Sequence, residues 1–371
     1  MYIDYLIETP FSETLQIVKS GIGFAYPCAA VAVGVGHRVY LREFSGQRQI
    51  NPFPLDLTEN TLFDIASLSK LTATAMIALR FVEGGMLCID DNIGKFLDYT
   101  GNFSDCTVKH LMAHTSGLTA GLPLFSMQHK NDDVLFTILD SDRCCKAGEE
   151  VIYSCMGYIV LQRILENISG KNLSQLAYEF VFSPLGMKNA CYNPRYDKSN
   201  VNKTPVAATE FYSHSKEWAT GHVHDENAYY LGGISGNAGV FASLDDMIAF
   251  AGMCSSEGIS KSGELYLSKD IFNLAIRDFT PDKKESRGLG FQLKGNQPSL
   301  MGELMSRGSY GHTGFTGTSL YVDKATGLWG VLLTNAVHFG RENRSAYFSL
   351  RRSFYDTMIT EYEKLRKEGR L

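Results

Sequence analysis

The segment 63–79, FDIASLSKLTATAMIAL, constrains the fold most, because it is apolar on nearly every side. A helix of that composition is buried. Within this segment Ser67 and Lys70 are three residues apart, so a helix brings them together on one face, one turn apart. Burial disfavours an ammonium ion and lowers the pKa of a lysine, which would let Lys70 accept the Ser67 hydroxyl proton. The alternative is that Ser67 caps the helix and Lys70 reaches water.

The composition excludes several classes of protein. A length of 371 residues predicts about two domains. The formal net charge of −5 and the absence of a basic block argue against a nucleic-acid partner. Every apolar run is shorter than the roughly 18 residues that a membrane-spanning helix needs, so we expect no membrane span.

The ends and the cysteines of the chain bear on its compartment. The first 21 residues, MYIDYLIETPFSETLQIVKSG, lack the basic segment and apolar run of a signal peptide. The eight cysteines are scattered without a C-x-x-C motif, which is typical of a reduced chain with small buried thiols. We expect a cytoplasmic protein from the chain as given, and a periplasmic or extracellular one if a signal peptide was removed.

Two segments resemble ligand sites only superficially. His222, His224 and Asp225 are close together in GHVHDEN, but they lack a spacing typical of metal ligands, so a structural loop is the simpler interpretation. The glycine-rich segment 231–241, LGGISGNAGVF, lacks the GxxxxGK[ST] pattern of a phosphate loop. We therefore predict no metal and no cofactor.

Strand patterns lie near both ends of the chain. Residues 29–35 and 38–44 predict a hairpin with a buried first strand, and residues 288–293, 319–322 and 328–335 predict later strands. Residues 1–25 and 345–368 predict amphipathic helices. The fold class is α+β: residues 1–80 and 231–371 form an antiparallel sheet flanked by helices, and residues 81–230 are an inserted, mainly helical domain. A cleft between the two domains is the natural site.

Three more motifs follow the serine–lysine pair along the chain. LMAHTSGL contains His114, YSCMGY begins with Tyr153, and GHTGFTGTSLYV contains His312-Thr313-Gly314. With FDIASLSK, these motifs resemble the serine β-lactamase and penicillin-binding protein superfamily, in which Ser-x-x-Lys, Tyr-x-Asn and Lys/His-x-Gly occur in this order. The likeness is greatest to the class C β-lactamase branch, with its D-alanyl-D-alanine carboxypeptidase, D-aminopeptidase and esterase relatives, and covers roughly residues 20–340.

The resemblance implies a β-lactamase/transpeptidase-like fold and assigns catalytic roles. Ser67 is the nucleophile, which needs a base because a serine hydroxyl is a weak nucleophile at neutral pH. Lys70 and Tyr153 share the proton transfers, and the backbone amides of Ser67 and Phe315 form the oxyanion hole. The predicted enzyme is a serine hydrolase that forms an acyl-enzyme from a D-amino-acid peptide, a β-lactam or a small ester.

The substrate-binding half of the site departs from the β-lactamase pattern. Cys155 stands where β-lactamases have an asparagine, and a thiol donates and accepts hydrogen bonds only weakly. His312, where most β-lactamases have lysine, is mostly neutral at pH 7 and attracts a carboxylate less strongly. Thr313 and Gly314 complete the substrate-binding strand, and Gly314 lets substrate approach closely.

These departures predict weak β-lactam hydrolysis at best and leave alternatives open. One is a carboxylesterase with little β-lactamase activity, and another is a penicillin-binding sensor module that is acylated without turnover. An acceptor other than water could also intercept the acyl-enzyme. The partner expected in each case is a small-molecule or peptide substrate, and the oligomeric state is not indicated.

Overall fold

The computed structural model describes residues 10–129, 133–194, 199–212, 216–295, 300–342 and 344–371. The strands are numbered in chain order. They are β1 (Cys28–Val35), β2 (Arg38–Gln49), β3 (Leu55–Asp56), β4 (Phe63–Asp64), β5 (Cys191–Tyr192), β6 (Phe211–Tyr212), β7 (Glu217–Trp218), β8 (Val240–Ala242), β9 (Gln292–Leu293), β10 (Tyr310–Gly314), β11 (Thr318–Val322) and β12 (Leu328–Thr334).

The main sheet joins strands from the two ends of the chain. In the described part of the chain its order is β3-β2-β1-β12-β11-β10-β9, and the strand pairs are antiparallel. β1 pairs with β12 from Ala29 opposite Thr334 to Val35 opposite Leu328. β1 is buried along nearly its whole length, as a central strand covered on both faces should be. The predicted α+β class, with one antiparallel sheet built from the two terminal hairpins, is confirmed.

The predicted strand at 288–293 is wrong in its extent. Leu289 and Gly290 form a bend, and β9 contains Gln292 and Leu293 alone. Gly290 has φ +86° and an added Cβ would lie 2.4 Å from the Ala75 side chain, so the chain turns closely over the buried helix at this point. Two small sheets complete the strands, in the orders β4-β8-β5 and β6-β7.

The helices are likewise numbered in chain order, and short 3₁₀ turns connect several of them. They are α1 (Ser12–Ser20), α2 (Met76–Glu83), α3 (Val108–Met112), α4 (Val134–Leu139), α5 (Cys155–Ser169), α6 (Leu173–Ala177), α7 (Ser183–Leu185), α8 (Glu226–Tyr230), α9 (Leu244–Ser255), α10 (Lys269–Ala275) and α11 (Ser345–Lys367). Two π-helical stretches, Lys70–Ala75 and Tyr178–Phe182, lead directly into α2 and α7.

The terminal helices cover one face of the main sheet, as predicted. Phe11, which precedes α1, and Val18, which lies within it, pack with Phe354 and Met358 of α11 in one apolar cluster. α9 packs against β1, β11 and β12 within a second, larger apolar cluster. α1 is shorter than predicted, and residues 1–9 of the predicted helix lie outside the described residues.

A buried carboxylate on α11 holds the beginning of α1. Glu361 accepts hydrogen bonds from the Glu13 and Thr14 amides, at 2.9 and 2.7 Å, and from the Thr14 hydroxyl at 2.5 Å. These amides are in the first turn of α1, where helix N–H groups lack intrahelical partners and the dipole favours an anion.

Replacing Glu361 with alanine should lower the free energy of unfolding by about 3 kcal/mol, because the Glu13 amide and the buried amide and hydroxyl of Thr14 lose a charged acceptor. Urea denaturation measures the loss. The matched control is Glu363→Ala, which removes an exposed carboxylate from the same helix. An equal loss in both variants would contradict the capping role.

The helices α3 to α8 lie between residues 81 and 230, together with the two-residue strands β5, β6 and β7. A single apolar cluster includes Leu79, Leu111, Leu161 and Leu333, so the same core continues from the helical region to the sheet. The exact division into residues 1–80 with 231–371 and residues 81–230 stays a prediction. Among the described residues, none of the helices combines the length and the apolar character that crossing a membrane requires.

Candidate active site

Ser67 lies in a turn between β4 and the buried helix. The helix begins later than the predicted residue 63, because Phe63 and Asp64 pair with β8 as a strand. Ala66 has φ +48°, a left-handed conformation that is costly for a residue with a Cβ. Its amide donates to Asp64 Oδ1 at 2.8 Å, and this bond holds the strained turn that presents Ser67.

The structure brings Lys70 directly onto Ser67. The Lys70 amide donates to the Ser67 carbonyl at 3.1 Å, so the chain makes one tight turn between them before the π-helix continues. Lys70 Nζ then donates to Ser67 Oγ at 3.0 Å and to the Asn237 carbonyl at 2.8 Å. The lysine is fully buried. The pair predicted from spacing is therefore formed, and Lys70 does not reach water.

The charge of Lys70 differs from the sequence-based expectation. Burial lowers the pKa of its ammonium group, but nearby Cys155 and Tyr153, which can both become anions, and a hydrogen bond to Tyr153 together raise that pKa above its ordinary value. Lys70 is thus an ammonium ion at neutral pH. The expected low pKa of Lys70 followed from burial and did not include these neighbouring groups. The proton acceptor for Ser67 therefore has to be sought in the Lys70–Tyr153 pair.

Tyr153 is surrounded by cations and imidazole rings. Lys70 Nζ and Arg287 Cζ lie 5.1 and 5.4 Å from the centroid of its ring. The rings of His114 and His312 lie 4.6 and 5.9 Å from the same centroid. Arg287 comes from a segment just before β9, and no motif in the sequence identified it.

His114 fixes the backbone on both sides of Tyr153. Its Nδ1 accepts a hydrogen bond from the Ser154 amide at 3.0 Å, and its carbonyl accepts one from Ile152 at 2.9 Å. Burial, reinforced by Arg287 and other nearby cations, holds the pKa of His114 well below 6.5, so its ring is a neutral acceptor. The motif LMAHTSGL was the sequence signal for this contact, which the sequence analysis left without a role.

The turn after β10 is fastened to the segment that precedes Ser67. The hydroxyl groups of Thr316 and Thr318 donate to the carbonyls of Asp64 and Ile65, at 2.7 and 3.0 Å. A Cβ added to Gly314 would lie 2.3 Å from the Ile65 carbonyl oxygen. A residue without a side chain is thus required at position 314 because two protein segments are in contact there. The role predicted for Gly314 was instead to let the substrate approach closely.

These contacts bring the two predicted oxyanion donors to the same region. Neither the Ser67 amide nor the Phe315 amide donates a hydrogen bond to another of the described residues. Both amides are thus available for a substrate oxygen. Phe315 is half exposed, and Ser67 is partly buried.

His312 is buried behind the ring of Tyr153. Its Nδ1 bonds the Thr313 carbonyl at 2.7 Å, and its Nε2 has no hydrogen-bond partner among the described residues. Burial, together with the positive charges of Arg287 and Lys70, lowers the pKa of His312 to about 3. The ring is therefore neutral and provides no constant attraction for a carboxylate.

The buried neutral His312 should make stability depend on pH. Its pKa is about 3 when folded against 6.5 ordinarily, so the unfolded chain binds more protons between these values, and stability falls as the pH falls below 6.5. Between pH 7 and 5, His312 should account for a loss of about 2 kcal/mol. Urea denaturation of wild type and His312→Gln at both pH values measures this difference. The idea fails if the two proteins lose equal stability.

A cavity of about 240 Å³ opens over the Ser67 side chain. Of the predicted site residues, Ser67, Tyr153, Cys155 and Phe315 line it, while Lys70 lies behind Ser67. Cys155 is the first residue of α5 and is partly buried. The other lining residues are Ala66, His224, Asp225, Glu226, Ala238 and Arg341, and no sequence motif identified them individually as substrate-binding residues.

The histidine-rich segment forms part of this cavity wall. His224 Nε2 lies 2.8 Å from Glu210 Oε2, and the His224 amide donates to Asp64 Oδ2 at 2.7 Å. Asp225 caps α8 by accepting from the Ala228 amide at 2.8 Å. Within the described ranges, no group of three or more His, Cys, Asp or Glu side chains is arranged to hold a metal ion.

Comparison with known proteins identifies relatives along most of the chain. A family model described as Beta-lactamase matches residues 17–352. "Putative D-alanyl-D-alanine carboxypeptidase" of Escherichia coli (strain K12) is 28% identical over 323 residues, covering 77% of this chain and 71% of the relative. "N-acetylmuramyl-L-alanine amidase" of Bacillus subtilis (strain 168) is 26% identical over 362 residues, covering 87% of this chain and 80% of the relative.

Solved structures share the same architecture. "EstCE1, a hydrolase with promiscuous acyltransferase activity" superposes with a TM-score of 0.74 at 19% identity, over 95% of this chain and 98% of that chain. This likeness shows the β-lactamase/transpeptidase-like fold. The family match over nearly the whole chain goes further, and this chain is a serine hydrolase that belongs to the beta-lactamase family.

Proposed function

We propose that Ser67 is the nucleophile of an acyl-enzyme mechanism. The observation that carries this proposal is the 3.0 Å contact between Lys70 Nζ and Ser67 Oγ, with Tyr153 beside the same ammonium group. A serine hydroxyl needs such activation at neutral pH. Its position in a strained turn that opens into a cavity supports the same role.

The reaction then has two halves. Ser67 Oγ attacks a carbonyl carbon while its proton passes to the Lys70–Tyr153 pair, and the amides of Ser67 and Phe315 bind the oxygen that becomes negative. Collapse of this intermediate expels an alcohol or amine, which takes the proton. Water then attacks the ester on Ser67, loses a proton to the same pair and releases the acid.

The substrate is proposed to be a D-amino-acid peptide or a small ester, with β-lactams as poor substrates. The curated relatives named as carboxypeptidase and amidase support the peptide, and the hydrolase with acyltransferase activity supports the ester. Cys155 lines the cavity with a weak hydrogen-bonding group, and His312 is neutral. The cytoplasmic location, or a periplasmic or extracellular one after signal removal, stays a prediction.

A substrate panel tests the proposal on the wild-type enzyme. The panel contains p-nitrophenyl esters, a D-alanyl-D-alanine peptide and the cephalosporin nitrocefin, and mass spectrometry after treatment with an acyl phosphonate locates the adduct. We expect an adduct at Ser67, turnover of an ester or peptide, and slow turnover of nitrocefin. Efficient cephalosporin turnover would contradict the substrate proposal, and a stable adduct without turnover of any compound would favour the sensor.

A further inference from the structure

A bridge of charged side chains closes one side of the catalytic cavity. Arg341 lines the cavity, and its Nε lies 2.5 Å from Glu210 Oε2 while its Nη2 lies 2.5 Å from Glu226 Oε1. We call these three residues the Glu210–Arg341–Glu226 bridge. Two separate carboxylates thus engage the guanidinium of Arg341 through its Nε and Nη2 atoms, and their two negative charges outweigh its single positive charge.

The bridge is held in place by the protein around it. Glu210 also bonds His224 Nε2 at 2.8 Å, and the His224 backbone is fixed by Asp64. Burial raises the pKa of Glu210, but hydrogen bonds from His224 and Arg341 outweigh this effect, so the pKa is lower than usual and the carboxylate stays charged. Phe315, whose ring centroid is 5.9 Å from Arg341 Cζ, covers the guanidinium.

Among the residues that line the cavity, negative charges outnumber positive ones, and the cations Lys70 and Arg287 beside Tyr153 are not lining residues. Asp225 and Glu226 both line it, and Arg341 is the cation among its lining residues within the described chain. Lys70 is committed to Ser67 Oγ and a backbone carbonyl. Arg344 lies against the Phe315 ring, 4.7 Å from its centroid, and is not among the lining residues. A carboxylate entering this cavity would meet two like charges.

We propose that Glu210 and Glu226 outweigh the positive charge of Arg341, so that the cavity selects acyl compounds whose neighbouring group is neutral or cationic. The inference rests on the proposed acyl-enzyme function and narrows its substrate class. It favours esters, amides and internal peptide bonds over compounds with a free carboxylate beside the reacting carbonyl. A terminal D-alanyl-D-alanine, whose leaving residue has such a carboxylate, is then a poor substrate.

Arylboronic acids provide a direct test, because they bind a catalytic serine reversibly and have no leaving group whose placement must be assumed. Three probes differ at the meta position: carboxylate, the nearly isosteric carbamoyl group, and trimethylammonium. We expect the carboxylate to inhibit at least about tenfold less strongly than the carbamoyl compound, since like charges next to each other cost several kcal/mol. The cationic probe should inhibit as well as the carbamoyl compound or better.

The variant Glu226→Gln keeps the shape of the bridge and removes one negative charge. The inhibition constant of the carboxylate probe, divided by that of the carbamoyl probe, should fall at least about threefold in this variant. Added salt should lower the same ratio for the wild type, because exposed charges are screened. The control is Glu363→Gln, which removes the same charge from an exposed position on α11 and should leave the ratio unchanged. Equal inhibition by both probes in wild type, or no change in Glu226→Gln, would overturn the inference.

The same probes separate this inference from the proposed function. If the carbamoyl compound inhibits wild type and fails to inhibit Ser67→Ala, the acyl-enzyme proposal stands whatever the carboxylate does. If the carbamoyl compound binds both proteins equally, Ser67 is not its target and the proposed function itself is wrong.

Discussion

The Ser67→Ala variant should lose at least about 10⁴-fold in kcat/KM for whichever ester or peptide the wild type hydrolyses, because the acyl-enzyme cannot form without the hydroxyl. The Ala66 turn, the proposed oxyanion amides and the cavity should stay in place in this variant. The substrate should therefore still bind with a similar Kd. Steady-state kinetics and equilibrium binding of the same substrate measure the two quantities separately.

The matched control for this variant is Ser104→Ala, which removes an exposed hydroxyl group far along the chain from the turn. It should retain wild-type activity. Mass spectrometry should show a phosphonate adduct on the control and none on Ser67→Ala. Unchanged turnover by Ser67→Ala would remove Ser67 from the mechanism, since the residual activity would then need another nucleophile.

The Lys70→Met variant should lose about 10²- to 10⁴-fold in kcat, because general acid–base catalysis contributes that much and Lys70 Nζ contacts Ser67 Oγ at 3.0 Å. Methionine fills most of the volume of the buried side chain and removes its charge, so the fold should be retained. Circular dichroism and thermal melting check the fold, and single-turnover kinetics check the acylation step.

The Lys70→Arg variant tests whether a cation alone is sufficient. Arginine keeps the positive charge, yet it does not give up its proton in proteins, and its planar group does not fit a site shaped for an ammonium ion. We expect Lys70→Arg to be as slow as Lys70→Met. Recovery of wild-type kcat by arginine would show that Lys70 acts by its charge and takes no part in proton transfer.

The sequence predicted the parts of this molecule that depend on local patterns. The alternation and burial of the hairpin at 29–44 predicted a central strand, and β1 is that strand. The spacing of Ser67 and Lys70 predicted a shared face, and the contact between their side chains is present. Helix periodicity cannot reveal a π-helical stretch, because its extra residue per turn is decided by the packing of Lys70–Ala75.

The features that the sequence did not predict depend on contacts between residues that are distant along the chain. The pKa of Lys70 rises because Tyr153 and Cys155 fold onto it from a distant part of the chain, and burial alone predicts the opposite direction. The Glu210–Arg341–Glu226 bridge unites three segments, and no sequence pattern predicts that these side chains meet. Charge recognition is therefore less predictable than bond-breaking chemistry, since salt bridges depend on tertiary placement while the serine–lysine pair lies within one turn.

The carboxylate of Asp64 connects the turn that presents Ser67 to the wall of the cavity. One of its oxygens accepts the Ala66 amide, in the turn that presents Ser67, and the other accepts the His224 amide, in the cavity wall. A mutation that moves the His224 segment of the wall therefore also changes the position of the turn that presents Ser67. Arg341 shares this link, because Glu210 bonds both Arg341 and His224, so the charge of the cavity and the position of Ser67 depend on the same buried carboxylate.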